Sequence, residues 1–432
     1  MRIALVADVF PPLRSSGAVQ LRDLARELVR QGHEVTAMIA SPDLQKDWQL
    51  ESIDGVQVLR LRTPKTKDVG YLRRTIGELL MPFAMLRNLR RSPLAGQRFD
   101  GVTWYSPSIF LGPLVKMLKT TSACPSYLII RDIFPEWAVD MGLMGRGLPY
   151  RFFKAVANYQ YSVADIIGVQ SPGNLDYFAN VGDRSVQRLE VLHNWLAEGA
   201  DAGCSINVSD TALKGRKIFV YAGNMGVAQG VDVLLELAER LQERADIGFL
   251  FVGRGSDVAR LRGVAVQREL DNVVFADEID PDEIPGLYAQ CHVGLVALDP
   301  RHKSHNIPGK FLSYMQSALP VLACINPGND LIGLINGERI GSAYTGGDPA
   351  HFAALAEQLV EQIEKEPEIQ IRCTRLAAKM FSAEAAVSKI VCALGQKNEH
   401  HSIFAGATER PYQPGAEVAK DKAAPQYPSR LS

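Results

Sequence analysis

The chain has 432 residues, of which 47% are hydrophobic and 22% charged, with a formal net charge of -1. That length exceeds one ordinary core and points to two domains, while the near-neutral balance excludes a general nucleic-acid binder. Six scattered cysteines without a CxxC pair exclude a disulfide framework and fit a reducing cytoplasm.

The N-terminus, MRIALVADVFPP, reads as a first strand and lacks the longer apolar stretch of a signal peptide. The loop FPPLRSSGAVQ leads into a helix with Leu21, Leu24, Ala25 and Leu28 on one face and Gly32 at its end. Strand-like runs at 35–40, 56–61, 101–105, 127–130, 166–169 and 189–192 alternate with helical patterns. Such alternation predicts a parallel sheet with helices on both faces.

Within this half, residues 65–98 join Lys65, Lys67, Arg73, Arg74, Arg87, Arg90 and Arg91 to the apolar centre LLMPFAML. Leu72, Ile76, Leu79, Phe83 and Leu86 recur at helical spacing, and Pro82 is expected to kink or split the helix. A segment of this kind either lies in an anionic membrane interface, with Arg73, Arg74, Phe83, Arg87, Arg90 and Arg91 towards it, or packs on the core with a solvated basic face. No window approaches the roughly 20 apolar residues of a spanning helix. After the run at 127–130, RDIFPEW places Asp132 and Glu136 on a loop at the sheet's carboxyl edge. There a carboxylate either handles a substrate hydroxyl or caps the following helix. His193 and Asn194 read as a hinge contact or as a capped strand end.

The small, polar stretch at 197–215 is the expected linker between domains at 1–196 and 216–380. The second half opens on FVYAGNMGVAQGVDVLLELAER, a buried strand, a glycine-rich turn and an amphipathic helix. Gly223, Gly226 and Gly230 allow close backbone approach, and the junction is either an anion site at the helix start, for a diphosphate for example, or a glycine-rich loop with no ligand. Further strand-like runs lie at 248–252, 273–276, 293–297 and 320–324. A second loop–helix junction, RHKSHNIPGKFLSYMQSALPVLA, brings Lys303 and Lys310 to a helix start. A lysine in the first turn opposes the helix dipole, a placement that hints at function. His302 and His305 have no carboxylate or cysteine at ligand spacing, so no metal site and no cofactor are expected. Helical periodicity returns at 381–395, and the polar tail at 396–432 is expected to be disordered.

The ordered elements SGAVQLRDLARELVRQGHEV, RDIFPEWAVDMG, VLHNW, YAGNMGVAQGVDVLL, LFVGRGSD and IPGKFLSYMQSALPVLA resemble family-four retaining glycosyltransferases. They look most like the bacterial branch that adds amino sugars such as N-acetylfucosamine during O-antigen or capsule assembly. The resemblance implies the α/β GT-B fold, two doubly wound Rossmann-like domains facing a cleft, with the helix at 381–395 returning to the first domain. It also implies a UDP-sugar donor in the second domain and an undecaprenyl-diphosphate-linked acceptor approaching from the first. Gly17 matches a glycine loop near the donor diphosphate. Asn224 and Gln229 stand where many relatives carry arginine and lysine, and His305 and Ser313 where they carry two acidic residues.

Charge developing on a departing diphosphate calls for fixed donors. The candidates are the N–H groups around Gly223, Asn224, Met225 and Gly226, the side chains of Asn224, Gln229, Arg254, Lys303 and Lys310, and Ser313. Asp132 and Glu136 are the candidates for the acceptor hydroxyl, with Lys310 as the third catalytic candidate and His193 and Asn194 at the acceptor or hinge. The leading expectation is a metal-independent retaining glycosyltransferase, peripheral on the inner membrane face. Alternatives are a UDP-sugar epimerase with the same fold or a non-catalytic nucleotide-sugar-binding partner.

Overall fold

In the computed structural model the described residues are 1–13, 15–179, 187–197, 203–226, 229–299 and 307–396. Strand β1 (Arg2–Ala7) is apolar on both faces, and Ile3 to Ala7 are fully buried. A strand of that composition belongs at the centre of a sheet covered on both sides. Around it the chain runs α1 (Ser16–Arg30), β2 (Glu34–Ser41), β3 (Trp48–Ile53), β4 (Val56–Arg62), α2 (Tyr71–Leu89), β5 (Gly101–Ser106) and α3 (Gly112–Ser122). It continues through β6 (Ser126–Ile130), α4 (Glu136–Asp140), α5 (Leu148–Val163), β7 (Ile166–Val169), α6 (Gly173–Ala179) and β8 (Arg188–Val191). The sheet order is β3-β4-β2-β1-β5-β6-β7-β8. Only β3 is antiparallel, paired to β4 as a hairpin, and its polar sequence WQLESI gave no strand signal.

The second half follows the same logic with β9 (Lys217–Ala222), α7 (Asp232–Arg240), β10 (Ile247–Val252), α8 (Val258–Gln267), β11 (Val273–Ala276), α9 (Ile284–Tyr288) and β12 (Val293–Ala297). Then come α10 (Gly309–Gln316), β13 (Val321–Cys324), α11 (Asp330–Glu338), β14 (Gly341–Tyr344), α12 (Pro349–Lys365), α13 (Glu368–Met380) and α14 (Ala383–Gly395). Its six strands are all parallel, in the order β11-β10-β9-β12-β13-β14. Val208 and Leu213, inside the stretch read as linker, are buried against Ile218 and Leu250 in this second core.

Two features tie the halves together. Leu196 donates its N–H to the Phe381 carbonyl at 2.9 Å, so the two crossing segments pair. Beyond that crossing, α14 buries Ala386, Val387, Ile390 and Leu394 against Leu21, Leu24 and Leu28 of α1. On the opposite face of the first sheet lie α2, α3 and α5. Contrary to the expected split, α2 runs unbroken through Pro82. Met81, Pro82 and Met85 are buried on that face, and Asn88 donates to the Arg62 carbonyl at 2.8 Å, so packing holds the helix where one backbone bond is lost.

Candidate functional site

The carboxyl end of β9 carries the centre of the site. Three of the N–H groups nominated as anion donors are already used inside the protein. Gly223 donates to the Val252 carbonyl at 2.9 Å, Met225 to the Arg254 carbonyl at 2.8 Å, and Gly226 to Gln229 Oε1 at 3.1 Å. Gln229 Oε1 also accepts from Asn224 Nδ2 at 3.1 Å, so these two side chains brace the loop against itself. Met225 is fully buried in the core. A second loop, with Gly253 and Gly255, packs closely on this one. A Cβ on Gly253 would stand 2.1 Å from the Gly223 carbonyl oxygen, and one on Gly255 would stand 2.1 Å from that of Met225. Both have φ in the left-handed half of the map, at 141° and 153°.

What faces this loop is Lys310. It is the second residue of α10, and its Nζ lies 3.4 Å from the centroid of the Tyr221 ring. The Gly223 position is as close, since a Cβ there would lie 3.9 Å from the same ammonium. No carboxylate or hydrogen-bond acceptor holds Lys310 among the described residues, and burial pushes its pKa down to about 7. Tyr221 is itself fixed, donating its hydroxyl to the Asn224 carbonyl at 2.8 Å. A desolvated ammonium on an aromatic face, short of a counter-ion, is a ready partner for an anion. Ser313 lies one turn further along α10 and is partly buried. Arg254 is held at the rim by Glu278 at 3.0 Å and is largely exposed. Lys303 and His305 fall outside the described residues.

The first domain presents a different edge. Gly17 opens α1 next to Tyr105, where an added Cβ would meet the ring at 3.2 Å. The Tyr105 hydroxyl donates to Gln20 Oε1 at 2.8 Å. Asp8 ends β1 with Oδ1 buried and without a partner, and burial pushes its carboxyl up. Asp132 is exposed after β6. Glu136 pairs with Lys154 and accepts from the Tyr150 hydroxyl at 3.2 Å, while its Oε2 is buried without a partner. The N-cap of α4 is Pro135, so Glu136 lies inside the helix, aimed at Lys154, and is not its cap.

His193 donates Nδ1–H to the Gln170 carbonyl at 2.9 Å and packs edge-on against Phe381. Burial lowers its pKa to about 4, so it is neutral near pH 7 and serves as a fixed contact. Asn194 donates to the Ile307 carbonyl at 3.3 Å, a bond from the first domain to the start of α10. Arg131, which the sequence did not single out, stacks 4.5 Å over Trp195 and donates to the Leu192 carbonyl at 3.1 Å.

Of the basic residues in and before α2, Arg74 and Lys67 lie within electrostatic reach of Asp8. Arg74 pairs with Glu78, and Arg91 and Arg87 reach Asp47 at 2.7 and 3.9 Å. Arg73 and Arg90 are exposed on the same helix. Phe83, Leu86, Arg87, Arg90 and Arg91 line an open pocket of about 400 Å³. Tyr71, Leu72, Ile76, Leu80 and Phe83 are exposed, Tyr71 to 90%. Among the described residues no helix is long and apolar enough to cross a membrane.

Two parallel-sheet domains joined by a crossing pair of segments, with a cationic loop–helix junction in the second, define the class: the fold is GT-B. The chain of HepE from Anabaena, solved in complex with UDP and glucose, aligns over 91% of this chain and 99% of its own with a TM-score of 0.64 and 14% identity. Residues 17–195 match the family Glycosyl transferase 4-like domain, and residues 207–374 match Glycosyl transferases group 1. The protein is thus a GT-B chain that joins a glycosyl transferase 4-like domain to a group 1 glycosyl transferase domain. WbjE of Pseudomonas aeruginosa, named as a glycosyltransferase, is 25% identical over 54% of this chain and 59% of its own length. WcaI of Escherichia coli (strain K12), named for colanic acid biosynthesis, is 26% identical over 63% of this chain and 70% of its own.

Proposed function

We propose that the protein transfers a sugar, an N-acetylated deoxyhexosamine, from a UDP-linked donor to an undecaprenyl-diphosphate-linked saccharide during surface polysaccharide assembly. The observation that carries the donor side is Lys310, an ammonium over Tyr221 at the carboxyl end of β9 with no counter-ion among the described residues. The donor diphosphate supplies that counter-ion. In the retaining reaction the bond from the anomeric carbon to the diphosphate oxygen breaks, and its electron pair stays on the diphosphate. A new bond from that carbon to the acceptor oxygen forms on the same face, and the hydroxyl proton passes to the departing diphosphate. Lys310, partly buried on the Tyr221 ring, meets the growing charge as a fixed cation. No protein nucleophile or metal ion enters these steps. Asp132, exposed on the loop after β6 at the carboxyl edge of the first sheet, is the carboxylate we assign to the acceptor hydroxyl.

The acceptor side rests on α2. Its exposed apolar residues and its arginines suit a peripheral contact with an anionic bilayer, where a lipid-linked acceptor resides. UDP accompanies the related fold in the Anabaena structure, and the names of both bacterial relatives fit polysaccharide assembly.

The test is turnover by the purified protein in detergent. A panel of UDP-N-acetylhexosamines, including fucosamine and quinovosamine forms, is offered with and without an undecaprenyl-diphosphate monosaccharide. Acceptor-dependent UDP release with a new lipid-linked disaccharide is expected. UDP release without that product would replace transfer by epimerase-like or hydrolytic chemistry.

A further inference from the structure

The helix that carries Lys310 has no cap of its own. Its N-cap is Pro308, which offers no side-chain acceptor. Both ends of α10 are instead fastened to one short segment, residues 193–197, where the chain leaves the first domain. At the near end, Asn194 Nδ2 donates to the Ile307 carbonyl at 3.3 Å. At the far end, Gln316 Nε2 donates to the carbonyls of Ala197 and Leu196 at 3.1 and 3.4 Å. Between them Phe311 packs edge-on against Phe381, which in turn packs edge-on against His193.

The same segment is anchored to the first domain. Trp195 Nε1 donates to the Gln20 carbonyl at 2.8 Å, and the Ala197 N–H to Asp23 Oδ2 at 3.1 Å. Gln20 and Asp23 belong to α1, the helix that Gly17 opens. One strap therefore connects α1 and α10, the helices that bring Gly17 and Lys310 to the cleft.

We infer that Asn194 and Gln316 are positioning residues, which hold Lys310 at the donor site by fastening α10 to this strap. The inference rests on the reading of Lys310 as the partner of the donor diphosphate. Asn194 touches no candidate reacting group, and Gln316 lies at the end of α10 opposite Lys310, so both act through the helix. A displacement of even about 1 Å in an oriented group is enough to cost much of its effect on the reacting atoms.

UDP affinity, measured by titration calorimetry, tests this in wild type, in Asn194→Leu with Gln316→Met, in Gln316→Glu alone, and in each on a Lys310→Ala background. The expected result is a loss of about tenfold in affinity for the strap variants with Lys310 present, the size of one charge-assisted hydrogen bond misplaced. On the Lys310→Ala background the same substitutions are expected to change affinity less than about twofold, because residues acting through one another are non-additive. Gln316→Glu keeps the side-chain length and exchanges donors for acceptors, so it carries the test if the double variant does not fold. Strap variants that bind UDP like wild type while Lys310→Ala weakens it would overturn the positioning role alone. So would a strap loss that is undiminished on the Lys310→Ala background. A Lys310→Ala protein that binds UDP like wild type would overturn the donor-site reading and the inference together.

Discussion

The two domains share one architecture and differ in what they leave uncovered. Apart from Val266 and Ile371, every large apolar side chain exposed among the described residues lies in the first domain, from Leu13 through the α2 series to Trp137, Leu143, Leu148, Phe152 and Tyr159. The second domain carries charge pairs such as Arg260 with Asp232 and Arg244 with Glu357, and sets the Lys310 ammonium on the Tyr221 ring. The difference teaches a division of work. A domain that meets a soluble, highly charged ligand needs a polar exterior and one prepared cation. A domain that works against an apolar phase tolerates apolar exposure that would otherwise promote association.

If that division is right, each half can be damaged without touching the other. The largest effect is expected from Lys310→Ala, which should weaken UDP binding about a hundredfold by removing a charge-assisted contact. Calorimetry checks it, and vesicle binding should be unchanged. Next, Leu80→Asp with Phe83→Asp should lower partition onto anionic vesicles by more than tenfold in sedimentation, since each loses burial worth about 1.5–3 kcal/mol. UDP affinity should stay as in wild type, and a fall in both would break the comparison. Neutralising Arg87, Arg90 and Arg91 together should have a smaller effect on vesicles, because Arg87 and Arg91 already pair with Asp47. That loss should shrink further as salt is raised.

The smallest effect sharpens the donor half. With its pKa held to about 7 in the free protein, Lys310 must take up a proton to meet a diphosphate above that pH. The anion raises the pKa of the bound state, so affinity should be full below about pH 7 and fall as pH rises. The limiting slope is about tenfold per pH unit. Lys310→Ala should flatten the slope, and an unaltered slope would place the proton elsewhere.

Much of the fold was legible because the central strands of both sheets are buried on both faces and read as apolar runs. Edge elements were not. β3 alternates partly buried and exposed residues in WQLESI, and β14 is the four-residue GSAY. The site was legible in part. Lys310 stood out because a lysine in a first helical turn works against the dipole. The platform beneath it, Tyr221, is the last but one position of the strand before the glycine loop and looked like core. The glycine loop was legible only in part. The glycines that its backbone requires are Gly253 and Gly255 on a second loop, a long-range contact that no local pattern records. Glu136 was similarly opaque, since its partner Lys154 comes from a separate helix.

The return of α14 to the first domain bears on how the chain is made. Leu21, Leu24 and Leu28 of α1 share one core with the first sheet, including Ile3, Val35 and Val58, and with Ala386, Val387 and Ile390, which are synthesised roughly 190 residues after β8. At a ribosomal rate of about 5–20 residues per second, the first domain waits some 10–40 s with the α14 side of that core uncovered. A growing chain of this design exposes an apolar groove for the whole time its second half is being built. A chaperone that shields α1 during that interval would be released by the arrival of α14.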